Sequence, residues 1–371
     1  MSDPRSGDYD WLYDGGSSTG SRPDASRPAS PGRADDQLPP PVLPAAAGTG
    51  RPKRGRRRLL RWWILVPALW LIFLIAVPIW AWGTIARIDA EPSGERPPDQ
   101  PGTTYLLVGS DSRRGLTAEE RRELSTGGDG GGSGRTDTIM LLHTGSGPTT
   151  LVSIPRDSIV PIPGVGTTKI NAAYAYGGPK LLVQTLEQTT GVRIDDYVEI
   201  GFGGLVQIVD SIGGIEICPE EDLKDKDSGL DIAKGCQQVD GKTALAYSRN
   251  RHSFRTQDIQ RVQNQREVIG AIGSKVRSPW TVINPIRYVS TATGAAESLT
   301  IGDNVGPVSL ARFAVALSGV MSGDGLSCTV PLADFSVRWD RERALQFFGH
   351  LKADTTDRIG DLCTQDGLPE Q

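Results

Sequence analysis

Charged residues stand at the ends of three short apolar runs in the first half of the chain. Asp111 follows the run at 105–108, Asp137 precedes the run at 138–143, and Arg156 follows the run at 150–154. If the runs are antiparallel neighbouring strands, all three charged residues lie at one edge of a sheet. Two carboxylates on adjacent strand ends suit Mg²⁺, whose octahedron phosphate oxygens and water can complete. We therefore expect an anion site at this edge.

Arginine is the residue type best suited to grip a phosphate through two parallel hydrogen bonds. If the segment after residue 246 is extended, Arg249 and Arg251 point to one side, because strand side chains alternate. The alternative is a surface network of ion pairs without function, since Asp and Arg often pair in that way. The candidate anion ligands are Arg113, Arg135, Arg156, Arg249, Arg251, Arg261 and Gln265.

A helix is expected at 256–272, and its spacing separates two kinds of residue. Positions three, four or seven apart share one helix face, so polar side chains gather on one face and apolar side chains pack inward on another. The polar face carries Asp258, Arg261 and Gln265, and the inward face carries Ile259, Val262 and Ile269.

The sequence lacks the residue patterns of several other kinds of functional site. Histidines 143, 252 and 350 have no serine elbow to serve, and Ser153 lies in an apolar run, which argues against a Ser-His-Asp hydrolase. The glycine-rich stretch at 126–134 lacks the Lys-Ser/Thr ending of a phosphate-binding P-loop. The four cysteines have no zinc-ligand spacing. A net charge of -4 gives no sign of a nucleic-acid binder.

A basic run at 51–61 precedes an uncharged apolar stretch at 62–82, which is long enough to cross a bilayer of roughly 30 Å. The basic side predicts a cytoplasmic N-terminus, and tryptophans at both ends suit the membrane interfaces. A cleaved signal peptide is the alternative, but the apolar core is too long and begins too late. The sequence thus predicts a single-pass membrane protein whose C-terminal domain is extracytoplasmic.

The sequence patterns outside the membrane segment divide the chain into a folded domain and flanking segments. Strand patterns alternate with helical ones after residue 103, which predicts an α/β fold, an α-β-α sandwich around a mixed central sheet. Within it we expect a loop at 169–174 leading to a helix at 177–187, and later helices at 308–320 and 341–351. The predicted parts are a disordered tail at 1–61, the membrane helix at 62–83, a tether at 84–102, a catalytic core at 103–275, the C-terminal part of the domain at 276–363 and a tail at 364–371.

Several separate motifs resemble the LytR-CpsA-Psr family, in order and behind a single anchor. They are Gly109-Ser-Asp-Ser-Arg113, Arg135-Thr-Asp-Thr138, Leu151-Val-Ser-Ile-Pro-Arg-Asp157, Lys169-Ile-Asn-Ala-Ala-Tyr-Ala-Tyr-Gly-Gly178, the apolar helix at 204–212 with its Gly-Gly end, and Ala244-Leu-Ala-Tyr-Ser-Arg-Asn-Arg-His252. The resemblance covers about residues 103 to 272. The composition is of an actinobacterial style.

This resemblance implies a phosphotransferase that moves a glycopolymer from a polyprenyl-diphosphate carrier onto peptidoglycan outside the cell membrane. It implies Mg²⁺ on Asp111 and Asp137. It also implies diphosphate ligands at Arg135, Arg156, Arg249 and Arg251, and a further element at Asp258, Arg261 and Gln265. The chain departs from the family's usual form of that element at Ile259, Gln260, Asn264 and Arg266.

Several details follow from the two arguments together. Arg156 and Arg249 are expected to act in catalysis, and Asp157 or Asp258 either removes a proton or only orients an arginine. The isoprenoid needs an apolar slot, for which the candidates are Leu181, Leu182, Leu205, Val206 and Val209, all of which also suit an ordinary core. The alternatives are a hydrolase of the polyprenyl diphosphate and a non-enzymatic regulatory membrane protein.

An even number of separated cysteines fits two disulfides in an oxidising compartment. Cys218 with Cys236 would close a short polar loop, and Cys328 with Cys363 would hold the C-terminal end. Other pairings remain open, as does a set of buried free thiols.

Overall fold

The computed structural model describes residues 54–111, 119, 134, 136–226, 228–250, 257–334 and 337–369, and it describes the backbone alone for 54–62 and 257–260. The predictions for the tail before residue 54 and for the loop at 126–133 lie outside these residues. The α-helices in this part of the chain are α1 (Arg54–Trp82), α2 (Asn171–Thr190), α3 (Phe202–Ser211), α4 (Gly241–Arg249), α5 (Gln257–Val276), α6 (Pro279–Ile283), α7 (Pro285–Ser298), α8 (Pro307–Met321) and α9 (Arg341–Lys352).

The strands are mostly short, and the three that carry the predicted charged edge are among the most buried. They are β1 (Ala86–Ile88), β2 (Thr103–Ser110), β3 (Thr136–Thr144), β4 (Thr150–Ser153), β5 (Ile159–Ile162), β6 (Gly166–Lys169), β7 (Asp196–Gly201), β8 (Ile215–Ile217), β9 (Leu223–Asp225), β10 (Leu230–Ile232), β11 (Gln237–Val239), β12 (Leu299–Gly302) and β13 (Leu326–Thr329).

Seven of these strands form the central sheet, in the order β1-β12-β7-β2-β3-β4-β13. β2, β3 and β4 are adjacent and antiparallel, as the sequence predicts. β7 runs parallel to β2, and β13 runs parallel to β4. The sheet is therefore mixed, and the adjacent strands β2, β3 and β4 bring their charged ends to one edge.

Both faces of the sheet are covered. Leu106 and Val108 of β2 pack with α2 and α9, whereas Tyr105 and Leu107 pack with α8 around Phe313. A strand buried on both faces reads as a continuous apolar run, which explains the sequence pattern. The predicted α-β-α sandwich is confirmed.

A second core lies beside the sandwich. It is formed by α3, α4, part of α5 and the short strands β8 to β11, with Val209, Ile215, Tyr247 and Val268 among its buried side chains. Tyr247 donates a hydrogen bond of 2.6 Å to Glu267 of α5, which holds α4 against that helix. This core therefore fixes where the end of α4, with Arg249, meets the sheet.

The C-terminal part completes the same sheet. β12 and β13 come from residues after 276, and β1 comes from the predicted tether. Disulfides join Cys218 to Cys236 and Cys328 to Cys363, the pairs considered from the sequence. The second links β13 to the segment after the last helix and so holds the chain end against the sheet.

The prediction of a loop at 169–174 was wrong in part, because helix α2 begins at Asn171. Gly178 has a φ of 63° and interrupts the helix, and Pro179 directly after it can start a new one, since its fixed φ suits a first turn. The sequence signal therefore marked the second half of α2. The helices predicted at 308–320 and 341–351 are present as α8 and α9.

One described helix is long and apolar enough to cross a membrane, through residues Trp63–Trp82 of α1. Its side chains are largely exposed, as expected for a helix surrounded by lipid rather than by a protein core. Pro67 and Pro78 lie inside it.

His143 is fully buried near the end of β3, where its imidazole contacts two other parts of the chain. Its Nδ1 lies 2.9 Å from the Thr104 hydroxyl, and its Nε2 lies 3.3 Å from Asp354 Oδ1. Burial lowers the pKa of His143 from its ordinary value of 6.5, and it outweighs the opposite effect of Asp354. The imidazole thus connects β2, β3 and the segment after α9.

We expect the His143→Gln variant to lose less stability than the wild type when the pH is lowered. In the unfolded chain, His143 binds a proton with its ordinary pKa of 6.5, whereas in the folded chain it binds the proton only at lower pH. The contribution of neutral His143 is therefore complete above that value and is lost as the pH falls below it. Urea midpoints at about pH 7.5 and about pH 5.5 should differ less for the variant than for the wild type. An equal difference in both proteins would contradict this assignment.

Candidate active site

At the charged edge of the sheet, the pairing of β2 with β3 contains a β-bulge, and the bulged residue is one of the two aspartates. The register shifts between Gly109 and Ser110, so Asp137 of β3 is an additional residue between two paired positions. A bulge of this kind redirects a side chain from the regular alternation. Gly109 is needed here, because a Cβ would lie 2.8 Å from the Thr138 side chain. Asp111 follows β2 directly, so both carboxylates lie at the same end of the sheet.

Arg156 forms an ion pair with Asp137 across this edge. Both side chains are largely buried, with 13% and 22% of their surface exposed. Asp157 lies on the other side, with its Oδ1 at 3.9 Å from Arg156 Nε and 3.1 Å from Lys169 Nζ. Asp157 therefore stands between two cations, an arrangement that favours orienting Arg156 over removing a proton.

A cavity of about 310 Å³ opens beside this edge. Its wall combines charged and polar side chains with apolar ones, as a site for an amphipathic ligand requires. The polar part of the wall includes Ser110, Asp137, Ser228, Ser248, Arg249, Arg261 and Gln265, and the apolar part includes Leu107, Val108, Ile200, Phe202, Leu205, Leu245, Val268 and Ile269.

Arg249 reaches the cavity from a helix. The prediction of an extended segment at this point was wrong, since Arg249 is the last residue of α4. Asp240 caps the start of that helix by accepting from the Thr243 N–H, and the helix continues to Arg249. The Arg249 guanidinium lies 5.0 Å from the centre of the Phe202 ring, a cation–π contact that orients it. Arg251 lies outside the described residues, so its alignment with Arg249 stays a prediction.

Helix α5 supplies a second polar group of the wall. Arg261 is 2% exposed and Gln265 is 7% exposed, so both are buried beside the cavity. Gln265 Nε2 lies 3.5 Å from the Asp137 backbone oxygen, which connects α5 to the bulge. Ile269 packs against the core around Phe313, as predicted, and it also lines the cavity with Gln265, one helix turn away. Val262 is buried as predicted.

The apolar wall differs from the predicted slot. Of the five candidates, Leu205 lines the cavity. Leu182 and Val209 are fully buried in the cores, and Leu181 packs against the core of the sandwich. The sequence could not separate these roles, since all five side chains are apolar and helical. Leu107, Ile200, Leu245 and Val268 take their place.

A buried carboxylate next to the site was missed by the sequence analysis. Glu199 of β7 is 2% exposed and accepts hydrogen bonds from Ser110 at 2.6 Å, Tyr174 at 2.9 Å and Tyr197 at 2.7 Å. Burial raises the pKa of Tyr197 well above its ordinary value of 10, and the nearby Glu199 raises it further. The cluster joins β2, β7 and α2 directly behind Asp111. Two of the three hydroxyl donors, Ser110 and Tyr174, lie far from Glu199 in the chain, so the cluster gave no sequence signal.

We expect Glu199→Gln to lower the free energy of unfolding by about 2 kcal/mol. The amide keeps the shape of the carboxylate, but it removes the charge and turns a donor toward hydroxyl groups that were donating. Urea unfolding of the variant, compared with the exposed Glu216→Gln control, measures the difference. Equal midpoints for the two variants would show that the cluster does not stabilise the edge.

The other predicted residues are placed as follows. Arg113 and Arg135 lie outside the described residues. Asp258 lies in α5, where the backbone alone is described. The site thus brings together Asp137, Arg156, Arg249, Arg261 and Gln265, with Asp111 at the same sheet end.

The donor set at this edge fits a magnesium ion. Asp111 and Asp137 offer carboxylate oxygens, the ligand type that Mg²⁺ prefers. Arg156 contacts Asp137 through Oδ1, and a carboxylate has two oxygens, so one group can hold both an arginine and a metal. In the described part of the chain, Glu216, Cys218 and Cys236 also cluster, but both sulfur atoms are in a disulfide and offer no thiolate.

The chain is similar to known proteins over most of its folded part. The model of the LytR_cpsA_psr family matches residues 88–321. "Probable cell wall biosynthesis protein LcpB" of Corynebacterium glutamicum is 44% identical over 295 residues, which are 77% of this chain and 70% of that protein. The teichoic acid transferase TagU of Enterococcus faecalis is 39% identical over 180 residues, or 47% of this chain and 58% of that one.

Two solved structures share the fold. The LytR-Csp2A-Psr enzyme from Actinomyces oris has a TM-score of 0.56 at 22% identity, covering 72% of this chain and 96% of that chain. Bacillus subtilis TagV has a TM-score of 0.53 at 23% identity, covering 70% and 100%. With a family match that includes the bulged edge, α4 and α5, this chain belongs to the LytR-CpsA-Psr family.

Proposed function

We propose that this protein is a membrane-anchored phosphotransferase that moves a glycopolymer from a polyprenyl-diphosphate carrier onto peptidoglycan. The observation that carries the proposal is the pairing of Asp137 with Arg156 at the bulged edge, directly beside a cavity that is charged on one part of its wall and apolar on another. A lipid-linked diphosphate has the same two parts. The name of the relative TagU, a polyisoprenyl-teichoic acid–peptidoglycan teichoic acid transferase, supports the same donor and acceptor classes.

The arginines have the main part in binding. Arg156 and Arg249 would hold the diphosphate oxygens, and Arg261 on α5 would add positive charge from the buried wall. Charges fixed in a water-poor cavity stabilise a developing negative charge without reorganisation, which is the largest catalytic effect available to such a site. Arg113, Arg135 and Arg251 remain proposed ligands from the family resemblance.

The reaction is transfer of the phosphorus that carries the polymer. A sugar hydroxyl of peptidoglycan attacks that phosphorus, the bond to the bridging oxygen breaks, and polyprenyl monophosphate leaves with the electron pair. Phosphoryl transfer depends on positioning and charge rather than on a protein nucleophile, in agreement with the missing serine and histidine candidates. Asp258 is the remaining candidate to take the hydroxyl proton, since Asp157 lies between two cations.

Asp111 and Asp137 would hold Mg²⁺ at this site. When bound, the ion would neutralise charge on the diphosphate oxygens. Asp137 would then connect the metal to Arg156, and the Glu199 cluster would hold the strand that carries Asp111. With these substrates and a membrane anchor, the reaction would take place at the outer face of the cell membrane.

The test uses the full chain in detergent micelles with Mg²⁺ and a polyprenyl-diphosphate glycan, with and without peptidoglycan. We expect polymer attachment and polyprenyl monophosphate release only when peptidoglycan is present. Release at the same rate without acceptor would instead identify a hydrolase. No turnover in either mixture would contradict both enzymatic functions and leave the regulatory alternative.

A further inference from the structure

An exposed apolar corner follows helix α5. Helices α6 and α7 meet at Asn284, and residues 279–286 include no charged side chain. Four large side chains of this 279–286 corner are exposed: Trp280 by 58%, Val282 by 41%, Ile283 by 60% and Ile286 by 80%. Basic residues border the corner on both sides, at Lys275, Arg277 and Arg287. An apolar surface bordered by cations matches the outer part of a bilayer with anionic headgroups.

The corner is connected to the apolar helix α1 by one residue. The Tyr288 hydroxyl donates a hydrogen bond of 2.7 Å to the backbone oxygen of Leu74, and its ring lies 5.8 Å from the Phe73 ring. Both contacted residues lie inside the stretch Trp63–Trp82. α7 therefore touches the part of α1 that is long and apolar enough to be in lipid.

Proline explains why the oxygen of Leu74 is the one contacted. In a helix, the carbonyl of residue 74 would accept from the N–H of residue 78, but that residue is Pro78, which has none. An unsatisfied carbonyl is costly in hydrocarbon, where water cannot replace the donor. The Tyr288 hydroxyl supplies the missing donor, so this contact satisfies a carbonyl that would otherwise have no partner within the helix.

The position of Leu74 sets a depth. It lies eight residues before Trp82, which corresponds to roughly 12 Å along the helix at about 1.5 Å per residue. If Trp63–Trp82 spans the bilayer, Tyr288 and the corner next to it lie below the outer surface of the hydrocarbon core.

We propose that the 279–286 corner is immersed in the outer leaflet, docked on α1 through Tyr288. This rests on the membrane anchoring included in the proposed function. The corner would fix the orientation of the domain, because α5 runs from Gln265 in the cavity wall to Val276 beside the corner, a distance of about 16 Å along the helix. The cavity is thereby held close enough to the lipid for a carrier chain to enter it without leaving the bilayer.

The test measures lipid contact at three matched positions of the full chain in vesicles of phosphatidylcholine and phosphatidylglycerol. Leu71→Cys, Ile283→Cys and Leu345→Cys replace side chains with exposures of 59%, 60% and 58%, in α1, the corner and α9. The native cysteines are in disulfides, so a fluorescent label reacts at the new position. Brominated lipids then quench a label only if it lies in the bilayer.

We expect quenching and a blue-shifted emission at positions 71 and 283 and neither at 345. Quenching at 71 without quenching at 283 would overturn the inference and leave the membrane anchor in place. No quenching at position 71 or at position 283 would overturn both the inference about the corner and the membrane anchor. A blue shift at 283 without quenching, increasing with the ratio of protein to lipid, would mean that a second copy covers the corner, and would also overturn it.

A second comparison tests the docking point itself. Tyr288→Phe removes the donor and should reduce quenching at position 283. Pro78→Ala restores the N–H that bonds the Leu74 oxygen within α1, so Tyr288→Phe should have a smaller effect in that background. The same effect in both backgrounds would show that the carbonyl exposed by Pro78 does not hold the corner.

Discussion

Arg156→Ala should lower kcat for glycopolymer transfer by about 10³-fold, since an arginine that neutralises charge in a phosphoryl-transfer transition state contributes about that much. The Arg156 side chain is 13% exposed and is paired with Asp137 at the bulged edge, so the substitution removes the guanidinium from this place. The effect should appear in kcat more than in KM, because the charge on the phosphorus grows as the reaction proceeds.

The matched control is Arg338→Ala. Arg338 also pairs with an aspartate, Asp334, but its side chain is 69% exposed, and Asp334 does not line the cavity as Asp137 does. An exposed pair contributes little to stability, so this variant should keep wild-type turnover and a wild-type urea midpoint. Equal turnover of Arg156→Ala and Arg338→Ala would remove Arg156 from the proposed site. Because Arg156→Ala also leaves Asp137 without this partner, its urea midpoint should be measured beside its activity.

Arg266→Met should lower the free energy of unfolding by about 3 kcal/mol. Arg266 of α5 is 8% exposed, and its guanidinium donates to the Ser153 hydroxyl, the Thr329 hydroxyl and the backbone oxygens of Cys328 and Gln365. Methionine fills a similar volume without any donor, so these buried acceptors lose their partner. Burial lowers the pKa of Arg266 to about 10, a desolvation cost that offsets part of the gain.

Urea unfolding checks this prediction, with Arg338→Met as the exposed control. Arg266→Gln should be intermediate, because the shorter amide reaches fewer of the acceptors. A midpoint for Arg266→Met equal to that of the wild type would mean that the desolvation cost cancels the hydrogen bonds. In that case the contacts from Arg266 to β4, β13 and the C-terminal segment would add no net stability.

The sheet and its charged edge were predictable because their signals are local. A strand buried on both faces is a continuous apolar run, and three such runs with short connections predict antiparallel neighbours. The bulge at Asp137 was not predictable, since a register shift depends on how two strands meet. Strand candidates were expected among the late helices, but β12 and β13 are short and carry no periodic signal, so the sequence could not assign their places in the sheet.

The site was predictable by residue type but not by geometry. Arg249 was identified as an anion ligand, yet it extends from the end of a helix, because the cap at Asp240 and the packing of Tyr247 continue α4 to that point. Glu199 was missed because its donors come from β2, β7 and α2. Arg266 was noticed only as a departure from a family pattern, and its contacts became visible when β13 and the chain end were in place.

The most direct test of the account follows one phosphorus atom. A polyprenyl-diphosphate glycan labelled with radioactive phosphorus next to the sugar is incubated with the full chain, Mg²⁺ and peptidoglycan. We predict that the label becomes covalently attached to peptidoglycan and that unlabelled polyprenyl monophosphate is released. Label that stays with the lipid while the sugar is transferred would show cleavage at the sugar instead of at phosphorus, and would contradict a phosphotransferase at this edge.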